Sequence, residues 1–546
     1  MVNGSDRPPR DAGEQHGPPA LAQLRQRVRT MPPAQRAALW HRLWSRGVPT
    51  AGLLDDAPPG EGGERAAPAS FTQRRMVILH QQDARSAAYN SPAPVRVTGR
   101  FDRGTAEAAL NDIGRRHDVL RTRLPIVEGI PVQRIAPPER RTLPLVDLSG
   151  LTREPARREA DRLVRTEQGD PFDVAGGPLL RFHLVRLPAE ESLLLLTFHH
   201  AVIDGWSFSV FAREFAALYG SHLNGTPDPL PPVTLQYGDY ARWQQDWLET
   251  EEADQQLAYW VGKLIGAPEI LALPTDHPRT ADVSRRGAVH EFTIGPRIFG
   301  DLAGLARRHG ATPFMVLLAA FQVVLAGYSG QRDIVVGTAV ANRRFREFHD
   351  LLGFFVNSVA LRGRPDPWLT FAEFVDQIRD TCLEAYANQD LPLDVLAREL
   401  HPGRRLGQNP IYQVNLAYHN VPETITAAEG VDITPLDLNH DGARFDLDLT
   451  VLETADGLQC RLIYAADLFL PSTVARLASS LTTLLSTAVA VPDTRLDRLP
   501  LLDAALRREA VHHAAPVRPS IAPDQPVHRL FERRPGPARA DPPDPP

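Results

Sequence analysis

The 546-residue chain is 43% hydrophobic and 23% charged, which is apolar material for roughly two to four compact units. A formal net charge of −6 excludes a basic surface built for nucleic acid or anionic lipid. Two cysteines, Cys382 and Cys460, in no CxxC pattern exclude a disulfide framework or a zinc ribbon and fit a reducing cytoplasm.

In chain order, residues 1–68 are rich in Pro, Gly, Ala and Arg and read as a flexible N-terminal region, without the apolar run of a signal peptide. Within it Leu21, Leu24 and Val28, then Leu39, Leu43 and Trp44, recur at helical spacing. They predict a short helical pair that docks on the main body or on a partner protein. From about 69 to 510 strands and helices alternate. Residues 109–122 (ALNDIGRRHDVLRT) read as a helix running into an extended segment, and 178–187 and 192–198 as strands joined by the turn-like PAEE. Residues 207–223 read as a helix with Ser207 as its cap. Phe314 to Tyr328 is apolar but interrupted by Gln322 and shorter than the ~20 residues of a membrane span, so it reads as a buried helix. A buried strand at 332–340 and a long amphipathic helix at 472–490 follow. Residues 511–546 form a Pro-rich tail ending in DPPDPP. The alternation predicts the α/β class, in a soluble, cytoplasmic protein.

The segment with most chemistry is TFHHAVIDGWS, 197–207. Strand alternation puts Leu194, Leu196, Phe198 and His200 on one face and Leu193, Leu195, Thr197 and His199 on the other. One histidine therefore faces a site and the other braces the interior. Asp204 and Gly205 follow in a turn before a helix, a common setting for a catalytic base. By itself the pattern also accommodates two core histidines and an ordinary Asp-Gly turn. A metal site on His199, His200 and Asp204 is disfavoured because adjacent strand side chains point apart, and no GxSxG elbow marks a serine nucleophile.

Seven elements in order give this pattern a context. Ser70-Phe-Thr-Gln-Arg-Arg75-Met resembles SxAQxR(L/M), and Arg116-His-Asp-Val-Leu-Arg-Thr122 resembles RHxxLRT. His199 to Gly205 matches HHxxxDG, and Gln236 to Gln244 resembles YxDYAxWQ. Leu273 to Arg279 matches LPTDxPR, Gly353 to Ser358 resembles GFFVNT, and Asn409 to Val414 resembles NPLFQV. Over most of its length the chain thus resembles the condensation domains of nonribosomal peptide synthetases. It departs from them at Thr72 and Val77 in the first element, and at Asn388-Gln-Asp-Leu-Pro-Leu-Asp394, where HQDxPFE is usual.

The resemblance implies two chloramphenicol-acetyltransferase-like lobes forming a V-shaped pseudo-dimer, 69–245 carrying HHxxxDG and 246–510 following it. It implies an acyltransferase of antibiotic and other secondary-metabolite biosynthesis. Donor and acceptor, each on the 4'-phosphopantetheine of a partner carrier protein, enter a tunnel between the lobes and are joined by an amide bond. His200, with an ordinary pKa of ~6.5, accepts a proton or a hydrogen bond from the attacking amine. Gly205 offers an N–H to the oxyanion, while His199, Asp204 and its pairing candidate Arg343 hold the site. Arg75, Trp206, Ser207 and Asn357 line the tunnel. No cofactor or metal bound by this chain, no nucleic acid or membrane partner, and a monomer are expected.

Single Lys263 stands in no GxxxxGK[ST], and no GGxS carrier motif is present. Val527 to Glu532 resembles the start of an adenylation domain. The chain thus reads as a stand-alone enzyme with carriers in trans or as a fragment of a synthetase. Competing readings are an epimerase of the same superfamily, a transferase using a free amine or alcohol, and an inactive module that recruits a tailoring enzyme.

Overall fold

The computed structural model describes residues 25–46, 48, 50, 63–279, 286–400, 411–420, 425–428, 431–436, 442–503 and 507–508. The expectations for Leu21 and Leu24, for the Pro-rich tail with Val527–Glu532, and for Asn409 and Pro410 lie outside these residues.

The first half of the chain runs through helix α1 (Pro33–Trp44), strand β1 (Arg65–Pro68), helix α2 (Phe71–Gln82), and strands β2 (Asn90–Pro92) and β3 (Val95–Thr98). After α3 (Arg103–Arg116) come β4 (Thr122–Arg123), β5 (Ile126–Val127), β6 (Ile130–Ile135) and β7 (Leu145–Asp147). Then follow α4 (Arg153–Gly169), β8 (Leu180–Arg186), β9 (Glu191–His199), α5 (Gly205–Asn224) and α6 (Tyr237–Trp247). The β8–β9 hairpin turns through Pro188–Glu190, where Ala189 and Glu190 both take positive φ, 62° and 55°.

β9 is buried on both faces, as its unbroken run of leucines requires. Leu194, Leu196 and Phe198 enter a core with α3 and α5, whereas Leu193 and Leu195 pack with Ala156 and Ala160 of α4. The alternation expected for this strand is thus present, but the strand ends at His199, and His200–Val202 form a single 3₁₀ turn. Ser207 is not the cap of α5: Asp204 is, its carboxylate accepting the Ser207 N–H at 2.7 Å. An aspartate at that position satisfies one of the N-terminal donors that a helix leaves without partners.

The second half contains α7 (Glu251–Leu264), β10 (Gly287–Ile294), α8 (Pro296–Arg308), α9 (Pro313–Ser329), β11 (Ile334–Val340) and β12 (Asn357–Gly363). It continues with α10 (Phe371–Ala387), α11 (Leu393–Leu400), β13 (Val414–Asn420), β14 (Ile425–Ala428), β15 (Val431–Pro435), β16 (Leu447–Thr454), β17 (Gly457–Ala465) and α12 (Pro471–Ala490). Its sheet has the order β10-β17-β16-β13-β11-β12, with α9 buried beneath it from Met315 to Leu325. Among the described residues no single helix is long and apolar enough to cross a membrane.

The division at residue 245 is crossed by two later segments. β15 pairs antiparallel with β3 (Ile433 opposite Val97), so the first sheet runs β14-β15-β3-β9-β8-β7, with β2 also on β9. Phe348, Leu351, Leu352, Phe354 and Phe355 likewise belong to the first core. Two segments of the second half, β14–β15 and the apolar loop 348–355, thus complete the sheet and the core of the first half.

α1 packs on the main body. Trp40 Nε1 donates to Asp246 at 3.0 Å, Arg36 pairs with the same carboxylate, and the Trp44 ring meets Phe348 edge-on at 5.3 Å. The region assigned as flexible up to residue 68 thus contains an ordered helix and the strand β1.

Candidate active site

β9 delivers two adjacent histidines to different surroundings. His199, opposite Asn90 of β2, is 4% exposed and lies edge-on to Phe172. Its Nδ1 accepts the Ala201 N–H at 3.1 Å. Burial, assisted by the neighbouring His200 and His80, pushes its pKa down to about 3, so it is neutral at physiological pH.

His200 is half-buried and is held at two atoms. Its backbone N–H donates to the Tyr89 carbonyl at 2.9 Å, and its Nδ1 donates to the Ile203 carbonyl at 2.8 Å. A carbonyl oxygen only accepts, so the neutral ring carries its proton on Nδ1 and its lone pair on Nε2. The ring lies against Phe354, centroids 4.3 Å apart.

Asp204, 3% exposed, accepts from Ser207 N, from Phe355 N at 3.0 Å and from Arg343 Nη2 at 3.2 Å. Arg343 also donates to the Phe348 carbonyl, to the Leu351 carbonyl at 2.8 Å and to Ser207 Oγ at 2.7 Å, while lying 4.1 Å over the Phe355 ring. Burial pulls its pKa below the ordinary arginine value, and Asp204 opposes that shift. The pairing expected between Asp204 and Arg343 is present.

The first motif joins this network from α2. Ser70 caps the helix and meets Tyr237 Oη at 2.8 Å, Thr72 Oγ1 donates to the Phe354 carbonyl at 3.0 Å, and Gln73 Nε2 donates to the Ala201 carbonyl at 3.2 Å. Tyr237 Oη donates to the same Phe354 carbonyl at 2.7 Å, and burial drives its phenol pKa up. Gly353 fits because the Tyr237 ring occupies its Cβ position: an added Cβ would lie 2.0 Å from Cδ2. Four motifs spread over nearly 300 residues of chain thus meet around the turn that follows His200.

The remaining expected residues divide into two groups. Gly205 is exposed at the first turn of α5, where N–H groups have no intrahelical acceptor, and a Cβ there would meet nothing within 4 Å. Trp206 is 45% exposed and donates to the His349 carbonyl at 2.8 Å. Arg75 reaches across to Asp394, 3.8 Å away on α11. Ser207 and Asn357, in contrast, are buried and committed to the protein itself. Ser207 Oγ bonds the Gly353 carbonyl at 2.8 Å. Asn357 donates to the Gln389 and Leu391 carbonyls at 2.8 and 2.6 Å and accepts from Leu393 N. Both side chains brace loops, because their polar atoms already have internal partners.

Phe354, Tyr237 and the Tyr89 carbonyl were not singled out from the sequence. Phe354 and Tyr237 lie inside quoted motifs, which is the signal that finds them; a backbone carbonyl has none. Among the described residues no group of three His, Cys, Asp or Glu side chains is placed to hold a metal ion.

The family model for the condensation domain matches residues 63–510. A linear gramicidin synthase of Brevibacillus parabrevis is 39% identical over 469 residues, 86% of this chain but 6% of that protein. Phosphinothricin tripeptide synthetase PhsC of Streptomyces viridochromogenes is 35% identical over 521 residues, 94% of this chain and 47% of its own length. The chain therefore spans less than half the length of these relatives. Among solved structures, the X-domain from teicoplanin biosynthesis superposes with a TM-score of 0.73 at 27% identity, covering 82% of this chain and 100% of that one. SgcC5 from Streptomyces globisporus gives 0.67 at 27% identity, over 78% and 100% of the two chains. By its matched span and its relatives, this chain belongs to the condensation domain family of nonribosomal peptide synthetases.

Proposed function

We propose that this chain forms an amide bond between a carrier-bound acyl or peptidyl thioester and the amine of a carrier-bound aminoacyl acceptor. The amine nitrogen attacks the thioester carbonyl, the C–S bond breaks, and the acyl group moves to the acceptor. The leaving thiolate takes up a proton equivalent to the one the amine gives up. The observation that carries the reading is the anchoring of His200: with Nδ1–H on the Ile203 carbonyl, the lone pair is on Nε2, where it receives the amine proton or holds the amine by a hydrogen bond. Gly205, at the exposed start of α5, supplies an N–H to the oxyanion. Arg75 and Trp206 border the substrate tunnel, and the phosphopantetheine arms belong to the partner carriers.

A second reading has its own support. The solved structures similar to this chain include an X-domain in complex with OxyB, and a recruiting module would bind a tailoring enzyme without transfer. The intact HHxxxDG segment favours catalysis.

Intact-protein mass spectrometry decides between them. An acylated donor carrier and an aminoacylated acceptor carrier are mixed with wild type and with His200→Ala. Gain of the donor mass on the acceptor with wild type alone supports the proposal. Transfer to a free amine or alcohol supports the carrier-independent transferase. Full transfer by His200→Ala overturns the role of His200, and no transfer alongside tight binding of an oxidase supports recruitment.

A further inference from the structure

The contact between Phe354 and His200 joins two distant segments of chain. Their ring centroids lie 4.3 Å apart at an interplanar angle of 36°. His200 opens the 3₁₀ turn His200–Val202, whereas Phe354 sits in a stretch that belongs to no helix or strand. The backbone of that stretch has no ladder of its own, so side chains take its polar groups. Gly353 N–H donates to Ser207 Oγ at 3.1 Å, and the Gly353 carbonyl accepts from the same hydroxyl at 2.8 Å. Phe355 N–H donates to Asp204 Oδ2 at 3.0 Å. The Phe354 carbonyl accepts from Thr72 Oγ1 at 3.0 Å and from Tyr237 Oη at 2.7 Å.

Those last two bonds fix the hydroxyl protons. A carbonyl only accepts, so Thr72 and Tyr237 each spend their single proton on it. Ser70 Oγ lies 3.0 Å from Thr72 Oγ1 and 2.8 Å from Tyr237 Oη, and accepts the Gln73 N–H at 3.1 Å. Its own proton has the two neighbouring hydroxyl oxygens as acceptors, which ties all three hydroxyls into one set.

Thr72 and Gln73 are neighbours in the first turn of α2. Thr72 holds the Phe354 carbonyl, while Gln73 Nε2 donates to the carbonyl of Ala201, in the middle of the His200 turn, at 3.2 Å. One helix end thus sets the spacing between the two rings. Thr72 stands where SxAQxR(L/M) has alanine, and an alanine methyl offers this carbonyl no donor.

We propose that Thr72 is a positioning residue for His200 that acts through Phe354: its hydroxyl, together with that of Tyr237, locks the Phe354 carbonyl and keeps the phenyl ring against the imidazole. The ring covers one face of the imidazole and limits its rotation, so the imidazole stays aimed at the reacting amine. This role in transfer rests on the amide-forming reading above, whereas the clamp on the ring does not. Two donors share one acceptor, so losing both costs more than the two single losses combined.

The test uses the full chain with Thr72→Val, which keeps the shape and removes the hydroxyl, and Thr72→Ser, which restores it. Two quantities are read on each: steady-state transfer to the acceptor carrier, and the ring signals of His200 in chain labelled with ¹³C-histidine. His200→Ala assigns those signals, which the ring current of Phe354 displaces. Thr72→Val is expected to lower kcat about threefold to tenfold with KM nearly unchanged, to move the His200 signals, and to melt near wild type. Thr72→Ser is expected to return both quantities to wild type. Thr72→Val combined with Tyr237→Phe should lose about 100-fold in kcat. Wild-type kcat and unmoved His200 signals in Thr72→Val overturn the proposal, and so does a loss that Thr72→Ser fails to restore. A wild-type chain that transfers nothing, with His200 signals that still follow the Thr72 hydroxyl, keeps the clamp and overturns the amide-forming reading instead.

Discussion

Arg343 Nη2 lies 3.2 Å from Asp204 Oδ1, and the two side chains are 2% and 0% exposed. The pair joins the cap of α5, directly after the His200 turn, to the loop that carries Phe348, Phe354 and Phe355 into the first core. Each partner makes further hydrogen bonds, Arg343 through Nη1 and Nη2 while its buried Nε has no acceptor, so removing one leaves a buried charge as well as a lost contact.

Asp204→Ala is accordingly expected to destabilise the chain by about 3–5 kcal/mol. Chemical denaturation checks this. A loss below about 1 kcal/mol would show that Arg343 finds another acceptor or escapes to water.

His200→Ala is expected to lower transfer by about 10²–10⁴-fold while leaving the unfolding midpoint close to wild type. The ring is half-buried, and its Nδ1 hydrogen bond ends on a carbonyl. Single-turnover transfer and a melting curve on the same sample separate the two effects. A large fall in stability would reassign His200 to structure.

His199 makes stability pH-dependent. Folded, its pKa is about 3; unfolded, it returns to ~6.5. Below pH ~6.5 the unfolded chain therefore binds a proton that the folded chain refuses, and the His199 contribution falls by ~1.4 kcal/mol per pH unit until the folded pKa is reached. Between pH 6.5 and 5 this amounts to roughly 2 kcal/mol. Urea melts of wild type and His199→Leu at both pH values check it: the variant starts less stable and has the shallower slope. Equal slopes would contradict the burial of a neutral His199.

Gly353→Ala is expected to lose about 1–3 kcal/mol or more, because the new methyl must displace the buried Tyr237 ring. Loss of the Tyr237–Phe354 hydrogen bond should follow, and transfer activity should fall with it through displacement of Phe354 from the His200 ring. Unchanged melting would mean that the ring relaxes freely.

Trp44→Ala should release α1 from Phe345 and Phe348 without unfolding the main body. Faster amide hydrogen exchange confined to 33–44 is the expected signature. Unchanged protection there would show that Arg36 and Trp40 hold the helix on Asp246 without it.

Much of the local structure was legible in linear pattern. The leucine run of 192–198, the apolar run of 314–328 and the amphipathic run of 472–490 became a buried strand and two helices within a few residues of their expected ends. These succeed because hydrophobic periodicity reflects which face is buried. The pair Asp204–Arg343 was legible only through family resemblance, since nothing local links residues so far apart in the chain. The cap of α5 was misassigned because Asp204 and Ser207 are both good capping residues. The choice between them rests on where the chain leaves the strand: Asp204 stays extended, at φ −130° and ψ 176°, and Ser207 is already inside the helix.

Residue order alone therefore accounts for the α/β class and the helical character of 33–44. Tertiary structure alone accounts for β15 lying beside β3, for Ser207 and Asn357 bracing loops, and for one end of α2 holding both the His200 turn and Phe354. The physical reason is the range of the interactions. Periodicity and capping act within one or two turns of chain and leave a mark at that spacing. Strand pairing and buried side-chain hydrogen bonds join groups tens to hundreds of residues apart, and any one partner read singly looks like an ordinary valine, serine, asparagine or threonine.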